Sequence, residues 1–265
     1  MSTNILKSTD NDGITRHETG DIFNLTQLTV DKELQRFRAQ HRDFLGHFFR
    51  YVHTAKIAFT MKAPAILDVG CGVSWHQLTA LHSNGCHPSL YFAIDARDCA
   101  DKMPKVNFST QFQQMNIVEG LPNNPNNIPW NLIVCYEVLE HLSKENGQKL
   151  IANIASVMNE NTLLLFSTPC FDERSGQAQN HIYEWKFEEL QEELEKIFVI
   201  DDAFGVFASQ RDYKEELAAS PELSAAVEIW KKYFNSALLS CLMAPLFPDK
   251  ARNCLWHLRK KPTTI

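Results

Sequence analysis

Short apolar runs alternate with amphipathic segments through the middle of the chain. Ala65-Ile66-Leu67-Asp68-Val69 is the first run, followed by Tyr91–Asp95, Asn131–Cys135 and Leu163–Ser167, while the more polar Gln111–Met115 is a further strand candidate between the second and third. Runs of this length, bounded by glycine, proline or asparagine, read as strands buried in a parallel sheet. Ser74–Leu81 fits a helix after the first run, and the glutamate-rich stretch Lys186–Lys196 fits another, with Phe187, Leu190, Leu194 and Ile197 on its inward face. Upstream, a helical pattern begins at Thr29, where Leu34, Phe37, Phe44, Leu45, Phe48 and Val52 recur at steps of three and four. The expected role of this helix is packing on the sheet, with a flap over a ligand as the alternative.

Leu121–Pro129, with three prolines and four asparagines, is a loop. Two further strands are expected at Phe198–Val206 and Arg252–Arg259. Between them lies a helical insertion, about residues 210–250. Ser220 and Pro221 start its helix, Leu223, Val227, Trp230, Phe234, Leu238 and Leu242 give it a period, and Pro245 ends it. That helix is apolar enough to need a partner surface, either the wall of a substrate crevice or a homodimer face over residues 221–243.

Strands alternating with helices predict an α/β fold with a doubly wound parallel sheet and right-handed crossovers. Ligands in such sheets sit at the carboxyl ends of the strands, so Asp68, Asp95, Asn116, Glu137 and Thr168 are expected to face one crevice. The organisation that follows is a polar, mobile tail over 1–22, a helical segment over 23–61, a core over 62–209, the insertion over 210–250, and a last strand and tail over 251–265.

At 265 residues and 44% hydrophobic content, the chain can bury one sizeable core with additions. Its net charge of −6 gives no bulk electrostatic attraction for nucleic acid or an anionic membrane. Seven scattered cysteines without a C-x-x-C pair read as reduced thiols. No apolar run reaches membrane-spanning length and no signal-peptide core is visible, so the expected location is the cytoplasm, with no membrane partner.

The first strand runs into Gly70-Cys71-Gly72, where two glycines let the backbone turn tightly and approach a ligand closely. Asp95 ends the second strand 23 residues after Gly72, the place of a ribose-binding carboxylate in a βαβ unit. L-D-V-G-C-G followed by A-I-D resembles the class I S-adenosylmethionine-dependent methyltransferases. The resemblance implies a Rossmann-like, seven-stranded mixed sheet that closes with an antiparallel pair, and S-adenosylmethionine as cofactor. Carried over to this sequence, it puts Asp68, Gly70, Cys71 and Gly72 at the methionine end, Asp95 at the ribose, and Asn116 with Ile117 at the adenine. Ala96, Cys135 and Tyr136 are further cofactor-binding candidates. The family pattern has an acid where Asn116 stands; the asparagine oxygen can accept the same bond without a charge.

Glu137, Glu140 and His141 follow the fourth strand, and their spacing is expected to bring all three near one face at the start of a helix. His181 comes later, in His181-Ile182-Tyr183-Glu184-Trp185. Two carboxylates and two imidazoles can hold a divalent cation, magnesium or manganese, and imidazole favours the softer metals. E-V-L-E-H-L, then S-T-P, then H-x-Y-E-W, is similar to the small-RNA 3′-terminal 2′-O-methyltransferases, and the first motif also to the ubiquinone-pathway O-methyltransferases. That similarity implies Glu137, Glu140, His141 and His181 as metal ligands gripping vicinal hydroxyls. It also implies methylation of an oxygen on a small molecule or RNA terminus, with His141 and Glu137 as catalytic candidates.

The bland alternative is a helix packed on the sheet through Val138, Leu139 and Leu142, its charges solvated. Cys170 stands where RNA 5-methylcytosine enzymes keep a nucleophile, but no acidic partner motif accompanies it. Nitrogen or carbon methylation of nucleic acid or protein, and a cofactor-binding partner subunit without activity, are the other functional alternatives. His41, His47, His76 and His82 have no partner pattern and are expected to be packed or exposed.

Overall fold

The computed structural model describes residues 8–9, 15–16 and 42–262. Ser8–Thr9 pairs antiparallel with Thr15–Arg16. The rest of the expected polar tail, and the helical pattern from Thr29 to residue 41, lie outside the described residues.

Seven strands make the main sheet: β1 (Ala65–Val69), β2 (Leu90–Asp95), β3 (Thr110–Gln114), β4 (Leu132–Tyr136), β5 (Leu163–Pro169), β6 (Phe198–Phe207) and β7 (Asn253–Lys260). Their order across the sheet is β3-β2-β1-β4-β5-β7-β6. The pairs β1·β2, β1·β4, β2·β3 and β4·β5 are parallel, and the whole is the expected mixed, Rossmann-like sheet. The strand order reverses at β1, between β2 and β4, which is where a crevice opens in such sheets. Every residue of β1, β2 and β4 is buried, as a strand covered on both faces requires.

The α-helices among the described residues are α1 (Arg42–Thr60), α2 (His76–Ser83), α3 (Lys144–Val157), α4 (Phe187–Glu195), α5 (Lys214–Ala219), α6 (Pro221–Trp230) and α7 (Ser236–Met243). The chain divides into two compact units.

The larger unit, Tyr51–Ala203 with the chain from Leu255 onward, holds β1 to β5 and the crevice. Within it, the second half of α1 packs as expected of a sheet-covering helix: Ala55 and Ala58 are buried, and Thr54 Oγ1 lies 2.6 Å from Tyr136 Oη. The Ser143 side chain accepts the Asn146 N–H to start α3, and Phe187 of α4 stacks on Trp256 of β7 with centroids 4.8 Å apart.

The smaller unit combines the described residues up to Arg50 with Phe204–Cys254. The single long helix expected after Ser220 is two helices. Its Ser220 cap and Pro221 are as read, but Asn235 accepts the Leu238 N–H and starts α7 anew. The apolar period runs through that break because cap chemistry at Asn235 outweighs periodicity there. The short helix α5 was not anticipated.

Candidate functional site

The loop after β1 is shaped by two glycines with left-handed backbones, φ 77° at Gly70 and 68° at Gly72. A Cβ on Gly70 would lie 2.4 Å from Val138 Cγ2, so this glycine admits the β4–α3 loop. A Cβ on Gly72 would meet nothing within 4 Å, so space is open above it. Gly70 and Cys71 both donate their N–H to Ile94 O, tying the loop to β2. The helix expected from Ser74 begins two residues later. Trp75 takes the left-handed conformation, φ 52°, and is held there by its indole N–H on Cys99 O.

Asp68 is buried and accepts a hydrogen bond from the Tyr91 hydroxyl. Burial pushes its pKa up to about 7, with Asp95 adding to the rise and the Tyr91 bond opposing it. Burial also drives the Cys71 thiol far up, with Asp68 reinforcing it, so Cys71 is no nucleophile. Asp95, at the end of β2, accepts from Gly72 N at 2.9 Å, Arg97 N at 2.9 Å and Arg97 Nε at 3.2 Å. Its carboxylate is thus fixed at the loop, and with three of its roughly four acceptor sites taken it keeps one for a hydroxyl donor. At the end of β3, Asn116 accepts from Val118 N and donates to Glu119 Oε1 at 2.8 Å. Asn153 then pins the carbonyls of Ile117 and Val118.

Cys135 and Tyr136 end β4 as buried residues. Beyond them the chain departs from the expected helix. Glu137 has φ 56°, Leu139–His141 is a single 3₁₀ turn, and α3 begins only at Lys144. The spacing argument for one helical face therefore fails, yet the fold brings the key groups together by another route. Glu140, His141 and His181 each offer a ligand atom within 4.8 Å of the others. Ile182 N and Tyr183 N both donate to Glu140 O, at 2.7 and 3.2 Å, which clamps the segment bearing His181 onto the turn bearing Glu140. Glu137 is not a member of this trio; its carboxylate accepts from Ser167 Oγ at 3.1 Å.

The three side chains could hold a cation. Thr168 Oγ1 donates to buried Glu140 at 3.1 Å. His141 Nδ1 lies 3.1 Å from Asn180 O, and His181 Nδ1 bonds Glu184, so the Nε2 atom of each ring remains to act as a ligand. Partial burial lowers the His141 pKa, with His181 and Arg97 pulling the same way and the Asn180 carbonyl and Glu137 opposing, which favours the neutral form a ligand needs. Sequence reasoning missed Tyr91, Ser167 and Glu184 as partners; only their place at or beside strand ends marked them. Cys170 is a buried residue bridged through its backbone to Trp185.

Residues 30–214 match the family described as a methyltransferase domain. No curated protein matches the chain. Among solved structures, the small RNA methyltransferase HEN1 is similar in fold, at TM-score 0.55 and 16% identity over 82% of this chain and 25% of that one. The N-methyltransferase NodS from Bradyrhizobium japonicum WM9 gives 0.51 at 12% identity, over 82% and 97%. The cyclase SpnF gives 0.50 at 15%, over 81% of each chain. This chain spans a quarter of the HEN1 structure's length. At these identities the structural likeness speaks for the fold alone, while the family match covers well over half of the sequence. The chain belongs to the methyltransferase-domain family and is an S-adenosylmethionine-dependent class I methyltransferase.

Proposed function

We propose that this methyltransferase acts on an oxygen of an acceptor with neighbouring hydroxyls, a small molecule or an RNA terminus, and that a divalent cation held by Glu140, His141 and His181 assists it. The convergence of those three ligand atoms within 4.8 Å carries this reading. The donor set supports it as well: one carboxylate and two imidazoles leave coordination positions for two acceptor oxygens, and the nitrogen donors favour manganese over magnesium. That the small RNA methyltransferase HEN1 shares the fold adds the RNA terminus to the acceptors worth testing.

The cation would supply Lewis-acid stabilisation of charge on an acceptor oxygen. The chain's own residues do the rest. Asp95 takes the cofactor's ribose hydroxyls, and Asn116 with Ile117 the adenine. Asp68 and the Gly70–Gly72 loop take the methionine end, and Cys135 and Tyr136 close the side toward β4. Glu137, held by Ser167, accepts the acceptor's hydroxyl proton. The methyl group bonds to that oxygen as the carbon–sulfur pair stays on sulfur, leaving S-adenosylhomocysteine.

The test is transfer of labelled methyl from S-adenosylmethionine into RNA and small-molecule fractions, with and without a chelator. The reading expects chelator-sensitive label that disappears in Glu140→Ala while S-adenosylhomocysteine binding persists. Full activity in that variant, or label indifferent to the chelator, rejects the metal-assisted mechanism.

A further inference from the structure

Asp95 closes β2 with a carboxylate whose two oxygens are unequally occupied. Among the described residues, Oδ1 accepts from Arg97 N at 2.9 Å and Arg97 Nε at 3.2 Å, whereas Oδ2 accepts from Gly72 N at 2.9 Å. A carboxylate oxygen has two lone pairs, so Oδ1 is filled and Oδ2 keeps one place. The hydroxyls of a ribose stand on neighbouring carbons and meet a carboxylate best with one on each oxygen. With these donors in place Asp95 takes one ribose hydroxyl but not both, and a donor on Oδ1 has to leave before the second is bound.

The donors differ in how readily they leave. Gly72 N belongs to the loop that Gly70 N and Cys71 N tie to Ile94 O, so moving it would undo that turn. Arg97 N bonds the side chain two residues before it, and the local turn holds donor and acceptor together. Arg97 Nε makes the longest of the three bonds, and it rides on a side chain 58% exposed, against 8% for Asp95. An ion pair this open to water is worth little, and its guanidinium passes into solvent at small cost. The second hydroxyl, by contrast, is delivered already aligned by the rest of the bound cofactor.

We propose that Arg97 is a displaceable occupant of the ribose site. Its Nε holds Asp95 Oδ1 until the cofactor arrives, and the second ribose hydroxyl then takes that place and turns the guanidinium out, while Arg97 N and Gly72 N stay on the carboxylate. Cofactor entry therefore moves a positive charge at the carboxyl end of β2, and the protein binds its cofactor less tightly than Asp95 alone would. The inference rests on the reading of Asp95 as the ribose acid and is independent of the metal centre.

The experiment uses the full chain and two probes, S-adenosylhomocysteine and the same molecule lacking both ribose hydroxyls. Arg97→Met, which keeps an extended side chain without the donor, is expected to tighten S-adenosylhomocysteine binding about two- to fivefold by calorimetry, the worth of an exposed ion pair. The hydroxyl-free probe should bind parent and variant alike. In the parent, the Arg97 Nε–H resonance, identified by its absence from the spectrum of Arg97→Met, should shift on adding S-adenosylhomocysteine and stay in place with the hydroxyl-free probe. Unchanged or weaker S-adenosylhomocysteine binding in Arg97→Met, an equal gain for both probes, or a resonance indifferent to S-adenosylhomocysteine overturns the proposal. A parent that prefers S-adenosylhomocysteine while Arg97→Met behaves like it leaves the ribose on Asp95 and removes the displacement alone. A parent that binds both probes equally removes the ribose from Asp95, and the proposal falls with that reading.

Discussion

Glu184 is hydrogen-bonded to His181 Nδ1, and each side chain is only 6% exposed. The same carboxylate oxygen also accepts the Ala178 N–H at 3.0 Å, so Glu184 is fixed before it fixes the histidine. A carboxylate on Nδ1 sets the tautomer, turns Nε2 into the lone-pair donor and raises its basicity. Glu184 is therefore a positioning residue for the proposed metal. Glu184→Gln should weaken manganese binding about ten- to a hundredfold, read by the paramagnetic resonance of free manganese, with S-adenosylhomocysteine affinity unchanged. Unaltered manganese affinity would show that the pair is only structural.

The two loop glycines separate folding from binding. At Gly70 an alanine methyl meets both a left-handed backbone and Val138 Cγ2 at 2.4 Å, whereas at Gly72 it meets the backbone penalty alone. The left-handed conformation costs a residue with a Cβ about 1–2 kcal/mol. Gly72→Ala should lose about that much stability and a larger share of cofactor affinity, because its methyl enters the open space. Gly70→Ala should lose more stability than Gly72→Ala. Denaturant melts with and without S-adenosylhomocysteine check the order, and a reversed order would mean that the open space is not where the cofactor lies.

The central strands β1, β2 and β4 were legible because parallel strands buried on both faces are written as apolar runs, whereas edge strand β3, Thr110–Gln114, is polar and has no buried residue. The polar residues at their ends were legible because the fold puts ligands there. Asp68, Asp95 and Asn116 all stand at or next to the carboxyl ends of their strands. The Glu137–His141 segment was misread as helix because i, i+3 spacing carries no information about a left-handed residue at Glu137. Its clustering with His181 depends instead on backbone bonds from Ile182 and Tyr183 to Glu140, which no local pattern announces.

Asp68 should make cofactor binding release a proton. With its pKa at about 7 in the empty protein, mainly through burial, the carboxyl is largely protonated near pH 6. An ammonium arriving at the methionine end favours the carboxylate and pulls that pKa down. Calorimetry of S-adenosylhomocysteine binding at pH 6, repeated in buffers of different ionisation enthalpy, should show close to one proton released, and Asp68→Asn should remove it. Binding heats independent of buffer would place the ammonium elsewhere.

The same titrations set how stability varies with pH in the empty protein. Burial holds the His53 and His76 pKa values at about 4, below the ordinary 6.5, and His257, 2.9 Å from His53 between Nε2 atoms, deepens the shift at His53. Between pH 4 and 6.5 the unfolded chain therefore carries protons at both histidines that the folded chain lacks, which makes stability rise with pH. Asp68 works the other way: folded it keeps its proton up to about pH 7, while unfolded it loses it near the ordinary 3.8, so its contribution falls as pH rises. Two protons against one leave the histidines dominant. Denaturant unfolding should show stability climbing from pH 4 to 6.5 and then levelling, and His53→Gln should flatten the climb. A flat or falling profile over that range would mean that the buried histidines are protonated in the fold, and that the pairing of His53 with His257 is not the neutral one described.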